Sequence, residues 1–211
     1  MKSLATSLLL IIAAGLAFYA QTDGFTVLTT ESARRASIAQ QALDLPEVVL
    51  TTASGQQISF TDDLATDGRT AIINFMFTRC VSVCIEMGLE FQQLQETIKQ
   101  RKLNDQVRLI SISFDPRDTP KWLDSYQKRM HLDPEIWQAV SISKPDELKT
   151  LLRAFGIIVV PAPLGQFEHN TAYHVVSPDA LLNRIVDINE TDYALYYAQT
   201  QAKQRRQSDA S

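Results

Sequence analysis

The stretch Thr70–Gly88, TAIINFMFTRCVSVCIEMG, decides how this chain folds. Its first half, Ala71 to Phe77, is a run rich in β-branched and aromatic residues, the pattern of a buried strand. Its second half carries the only two cysteines, Cys80 and Cys84, onto the predicted first turn of a helix running to about Lys99. Strand, turn and helix in that order open an α/β unit, and the rest of the chain frames the cysteine pair.

Working outward, Val48 to Thr52 and Gln57 to Phe60 flank Ser54 and Gly55, which predicts a β-hairpin before the central strand. The globular part is expected to begin at Leu45 and Pro46, and Asp62 or Asp63 to cap a short helical turn before Gly68. Downstream, Val107 to Phe114 is a second strong strand. Pro116 and Pro120 stop it and open a helix through Trp122, Leu123, Tyr126 and Met130. Trp137 to Ile142 reads as a third strand. A helix from about Pro145, with Leu148, Leu151, Leu152 and Phe155 at helical spacing, ends at Gly156. Pro161 to Asn170 is then a turn-rich loop, and Tyr173 to Val176 with Asn183 to Ile188 form a closing hairpin. Alternating strands and helices that end in a hairpin predict an α/β, thioredoxin-like sandwich.

At 211 residues, 45% hydrophobic and 21% charged, the chain has material for one core with appendages. Its net charge of −4 offers no basic surplus, so no nucleic-acid partner is expected. The expected division is a signal or anchor segment over residues 1–20, a tether over 21–45, the sandwich over 46–190, and a C-terminal segment over 191–211. That last segment is expected to start as a helix and lose order from Lys203.

Leu4 to Ala20 is a 17-residue run without a charge, short for a membrane span and long for a signal-peptide core. Cleavage after Ala20 would put Phe18 at the small-residue position; cleavage after Ala17 would put Gly15 there. We take it as an uncleaved single-pass anchor. Lys2 precedes the run, and Asp23 and Glu31 follow it, which places the body outside, on the periplasmic side of a bacterial inner membrane. The polar tether is expected to be partly helical through Ala33 to Ala42, or else a frayed extension.

Two cysteines are too few to staple a scaffold, so they form one bridge, two inert core thiols or a reactive pair. Four apart on a helix, they would share a face about 5–6 Å apart, close enough to hold one metal ion or, with strain, to join as a disulfide. A helix N-terminus and Arg79 would favour the thiolate. Two thiolates suit a soft ion, which a third ligand would complete. Of the three histidines, His131 belongs to a polar loop and reads as solvated, and His174 falls inside a strand and reads as a sheet neighbour. His169 lies in the loop expected beside the cysteine helix and is the candidate ligand. Met87 shares the cysteine face but reads as core filler rather than as a further soft ligand. Asp115 and Asp118 invite a proton-shuttling role; as structural residues, Asp118 or Thr119 would cap the helix at Pro120 and Arg117 would pair with a carboxylate.

Taken together, Phe75–Cys80 with Cys84, Ser113–Pro120, Glu168-His169 and Ser177–Asp179 resemble the Sco/SenC family of cytochrome c oxidase assembly proteins, over about Leu45 to Asn189. The resemblance implies a membrane-held thioredoxin-like domain binding a copper ion through Cys80, Cys84 and His169. Val81, Ser82 and Ile85 replace the prolines and aspartate usual around the cysteines, and Glu168 and Asn170 replace the usual neighbours of the histidine. The implied partners are a copper-receiving oxidase subunit, other copper chaperones or thiol reductants, and the membrane. The alternative function is a thiol–disulfide oxidoreductase that uses Cys80 and Cys84 as a redox pair without holding copper. A peroxidase, suggested by Thr78 two residues before Cys80, is a weaker third because the spacing is one residue short.

Overall fold

The computed structural model describes residues 30–80 and 83–209, the backbone alone at 30, 83–86 and 209, and residues 7, 10–15, 17 and 19 near the amino end. They form two compact units, residues 1–41 and 42–211. In the first, α1 (Thr30–Gln40) takes up the end of the expected tether, and Arg35 pairs with Glu31 one turn away at 3.0 Å. The expected anchor falls largely outside the described residues, and among those described no helix is long and apolar enough to cross a membrane.

The second unit runs β1 (Leu43–Asp44), β2 (Val49–Thr52), β3 (Gln57–Ser59), α2 (Phe60–Asp67), β4 (Thr70–Met76), α3 (Val83–Gln100), β5 (Val107–Ser113), α4 (Pro120–Arg129) and β6 (Trp137–Ser141). It continues with α5 (Pro145–Phe155), β7 (Val159–Pro161), a 3₁₀ turn at Pro163–Gly165, β8 (Phe167–His169), β9 (Tyr173–Val176), β10 (Leu181–Val186) and α6 (Thr191–Asp209). Eight strands form one sheet in the order β1-β10-β9-β4-β5-β6-β2-β3, and β7 and β8 form a separate ribbon. β4, β5 and β6 are parallel; β9 joins the other side of β4 antiparallel and β10 follows it.

Every residue of β4 and of β5 is buried, as expected of central strands covered on both faces, and this includes the polar Asn74, Arg108, Ser111 and Ser113. Successive residues of β9 face opposite sides of the sheet and so identify the layers. His174 lies against Phe155 of α5, ring centroids 5.1 Å apart, and Phe155 lies 5.0 Å from Phe75. Tyr173 stacks on Phe91 of α3 at 5.6 Å, and Phe91 also meets Trp137 at 5.5 Å. α5 and α3 therefore cover opposite faces, with α6 packed beside α3 against β4 and β9.

Several expectations shift. The cap of α2 is Ser59, whose hydroxyl accepts from the Asp62 N–H at 3.1 Å, so Asp62 and Asp63 sit inside the first turn. The compact unit begins at Ala42, because β1 pairs with β10. The C-terminal helix does not fade at Lys203 but continues to Asp209: Ala194, Leu195, Ala198 and Ala202 are buried, and Arg205 and Arg206 hold Asp179 and Asp105 at 3.0 Å each. Pro161 to Asn170 is not simply a loop but carries the turn and second strand of the ribbon, whose three-residue strands and proline hide it from sequence patterns.

Candidate metal and thiol site

β4 ends at Met76, and the next four residues turn over its carboxyl end. The turn is closed by the Cys80 N–H donating to Phe77 O at 3.3 Å. Cys80 itself is not helical, whereas Cys84 lies in α3, the second of its described residues. The expected shared helical face is thus replaced by one cysteine in a turn and one on the helix. Cys80 is also buried, at 8% exposure, rather than held at an open helix mouth. The side chain of Cys84 lies outside the described residues.

Asp118 determines where that turn sits. Its carboxylate accepts the Thr78 N–H at 2.7 Å, the Thr78 hydroxyl at 2.6 Å and the Ser113 hydroxyl at 2.6 Å. It is buried and makes no cap for α4, whose N-cap Thr119 also lacks a side-chain cap bond. Arg129, from the far end of α4, donates to Thr78 O at 2.6 Å. Asp115, also buried, takes Arg79 at 2.8 Å and Arg117 at 2.8 Å. The pairing expected for Arg117 is therefore with Asp115. Arg79, expected as a cation favouring a thiolate, has its charge matched by Asp115 and by Asp118 at 3.7 Å, and its guanidinium lies 5.6 Å from the Trp122 ring. Burial alone would raise the Asp115 carboxyl; hydrogen bonds and charge from Arg117, then the bond from Arg79, hold it below the usual value.

The ribbon brings in the histidine. Gly165, at φ 72°, adopts a turn that L side chains resist, and its carbonyl accepts from Arg117 at 3.1 Å. Phe167 of β8 packs on Phe77 at 5.2 Å and Phe114 at 5.7 Å, and His169 packs on Phe114 at 4.7 Å. Gln166 reaches Arg79 O at 3.5 Å. His169 is half-buried, and its pKa is lowered chiefly by burial, against upward pulls from the Asn170 carbonyl and then from Cys80. The ribbon that carries His169 thus packs through Phe167 and Gln166 against Phe77 and Arg79 of the cysteine turn. Its Nδ1 lies 3.0 Å from Asn170 O. A carbonyl only accepts, so Nδ1 carries the proton of that bond.

The other candidates separate from this group. His174 is buried in β9 opposite Ile73, in the aromatic layer under α5, and His131 is an exposed turn residue at φ 51°. Met87 is fully buried, as core filler should be. Among the described residues no three His, Cys, Asp or Glu gather as a metal cluster, the Cys84 side chain not being one of them. Sequence reasoning missed Asn170, which accepts the Ile158 N–H at 2.7 Å and donates to Gly156 O at 2.9 Å, clamping the foot of the ribbon to the end of α5. The roles of Thr78, Ser113 and Arg129 were likewise invisible, because their partners lie up to 51 positions away.

An imidazole on the ribbon and a buried cysteine in the turn that the ribbon packs against are nitrogen and sulfur donors of the kind suited to a soft or borderline ion. The SCO1/SenC family model matches residues 40–203. The SCO1 protein homolog of Bacillus subtilis (strain 168) is 30% identical over 115 residues, 53% of this chain and 58% of that relative, so the chain spans less than two thirds of its length. Arabidopsis thaliana ScoI with copper bound has the same fold, with a TM-score of 0.63 at 22% identity over 77% of this chain and 98% of that one. BsSco, described as a member of the Sco family of cytochrome c oxidase assembly proteins with a disulfide switch, superposes with a TM-score of 0.65 at 24% identity over 77% and 95%. The α/β sandwich is thus that of Sco proteins, and a family match from α1 into α6 that takes in Cys80, Cys84 and His169 makes this chain a member of the SCO1/SenC family.

Proposed function

We propose that this chain takes up a copper ion through Cys80, Cys84 and His169 and passes it to a copper site of a cytochrome oxidase subunit. The observation that carries this reading is His169: a half-buried imidazole on a separate ribbon, packed on Phe114 and held by the Asn170 carbonyl, with the ribbon itself packed on the cysteine turn through Phe167 and Gln166. Two thiolates and one imidazole provide donors for both Cu(I) and Cu(II). Release is an exchange of ligands, in which each donor of this chain is replaced by one from the acceptor with no net oxidation. The anchor over residues 1–20 would hold the domain at the periplasmic face of the inner membrane, beside a membrane-bound acceptor. Sco relatives solved with copper, and the oxidase-assembly role stated for BsSco's family, support the same reading.

The description of a disulfide switch in BsSco favours a second activity of the same pair. Cys80 and Cys84 as dithiol would give two electrons and two protons to a disulfide of the acceptor, becoming a disulfide while the acceptor gains two thiols. Titration of the reduced full-length chain with Cu(I) against a chromophoric competitor decides between them. Stoichiometric binding lost in Cys80→Ser and Cys84→Ser supports copper carriage; no binding by the reduced parent chain leaves the oxidoreductase.

A further inference from the structure

A groove of about 450 Å³ runs between α5, the β5–α4 connection and the start of the ribbon. Pro116, Leu148, Leu152, Ile157 and Val159 give it an apolar lining, and Lys149 and Arg153 join them from α5. These two cations are four apart on one helix, a like-charge spacing that destabilises it slightly. Neither has an ion-pair partner among the described residues, whereas Arg69, Arg79, Lys99, Arg108 and Arg117 each hold a carboxylate. Of the two acids on α5, Glu147 is taken by Lys144 and by the Val49 N–H, and Asp146, one turn before Lys149, makes no ion pair with it. In a chain of net charge −4, two uncompensated cations beside an apolar groove form a surface complementary to acid.

The groove also adjoins the site. Val159, which lines it, pairs across the ribbon with His169, one strand spacing of about 4.8 Å away. Pro116 follows Asp115, which holds Arg79 next to Cys80. The same ribbon exposes Ile158, Val160 and Leu164, at 68, 51 and 98%, more apolar surface than an unpartnered turn needs.

We propose that this groove docks an acidic, apolar segment of the protein that exchanges metal or electrons with Cys80 and His169. A large apolar side chain of that segment fills the groove, and flanking carboxylates meet Lys149 and Arg153. The identity of the exchange rests on the function proposed above; the docking surface does not.

The test uses the full-length chain in detergent and a fluorescein-labelled peptide, Glu-Asp-Leu-Phe-Glu-Asp, followed by fluorescence anisotropy. Saturable binding is expected, weakened at least tenfold by Lys149→Glu with Arg153→Glu, weakened also by Leu152→Asp and by added salt, and unchanged by Cys80→Ser or His169→Ala. Absence of binding, binding indifferent to the double charge reversal, or equal binding of a Lys-Lys-Leu-Phe-Lys-Lys peptide would each overturn the proposal. Loss of copper binding with peptide binding intact would overturn the metal site instead, so the two failures are distinct.

Discussion

Asp118 accepts hydrogen bonds from both the backbone N–H and the hydroxyl of Thr78, at 2.7 and 2.6 Å, across 40 positions of sequence. Thr78 stands two residues before Cys80, so a buried carboxylate from one connection holds the cysteine turn of another. With Ser113 as a third donor and Arg129 on the Thr78 carbonyl, the turn is tied into the core.

Replacing Asp118 by Ala removes the acceptor for three buried donors and should destabilise the domain by roughly 3 kcal/mol or more. Thr78→Val should cost about 1–2 kcal/mol. Urea unfolding followed by tryptophan fluorescence measures both. An Asp118→Ala chain within about 0.5 kcal/mol of the parent would show that the three bonds do not hold the turn.

His169 and His174 should part company. His169→Ala should leave Cu(I) on the reduced thiols but weaken Cu(II) binding markedly, read from the Cu(II) spectrum during titration. Since burial lowers its pKa, the His169 share of Cu(II) affinity should persist at pH 6.5 and fall only below it. His174→Ala should cost about 2 kcal/mol of stability, for the cavity left between Phe75 and Phe155, without changing copper affinity. Copper lost from the His174 variant and kept by the His169 variant would reverse the assignment.

Asn170→Ala opens the foot of the ribbon while leaving the His169 ring in place. Amide exchange at Val159 to His169 should quicken at least tenfold, with little change in β4 and β5, and Cu(II) should bind more weakly. Unchanged exchange at Ile158 and its neighbours would show that the clamp seen at 2.7 and 2.9 Å contributes nothing to ribbon order.

Asp115 carries a pH signature. Its folded pKa is held below the usual 3.8, so the stability it contributes is fully present above about pH 4 and is lost as pH falls through the lower folded value. Asp115→Asn should therefore be less stable than the parent at pH 7, and the gap should narrow below pH 4. Unfolding curves from pH 7 to pH 2.5 test this, and a gap that stays constant throughout would contradict it.

The sequence by itself determined the central strand, the two strands that follow it and the helix stops at Gly68 and Gly156, and it singled out Cys80, Cys84 and His169 as candidates. Those features are local: an apolar run, a glycine able to take positive φ, or a residue type whose chemistry is rare in this chain. Only the tertiary structure decided that Cys80 precedes α3, that a ribbon carries His169, that Arg79 is matched by carboxylates, and that Asp118 grips Thr78 instead of capping α4. Each of those depends on a partner tens of residues away. A carboxylate binds whichever buried donors the packed chain brings to it, and sequence spacing does not say which those will be. The same holds for the C-terminal helix. Its polar composition reads as a fraying end, but its buried alanines and the carboxylates that meet Arg205 and Arg206 come from the sheet and loops it packs against.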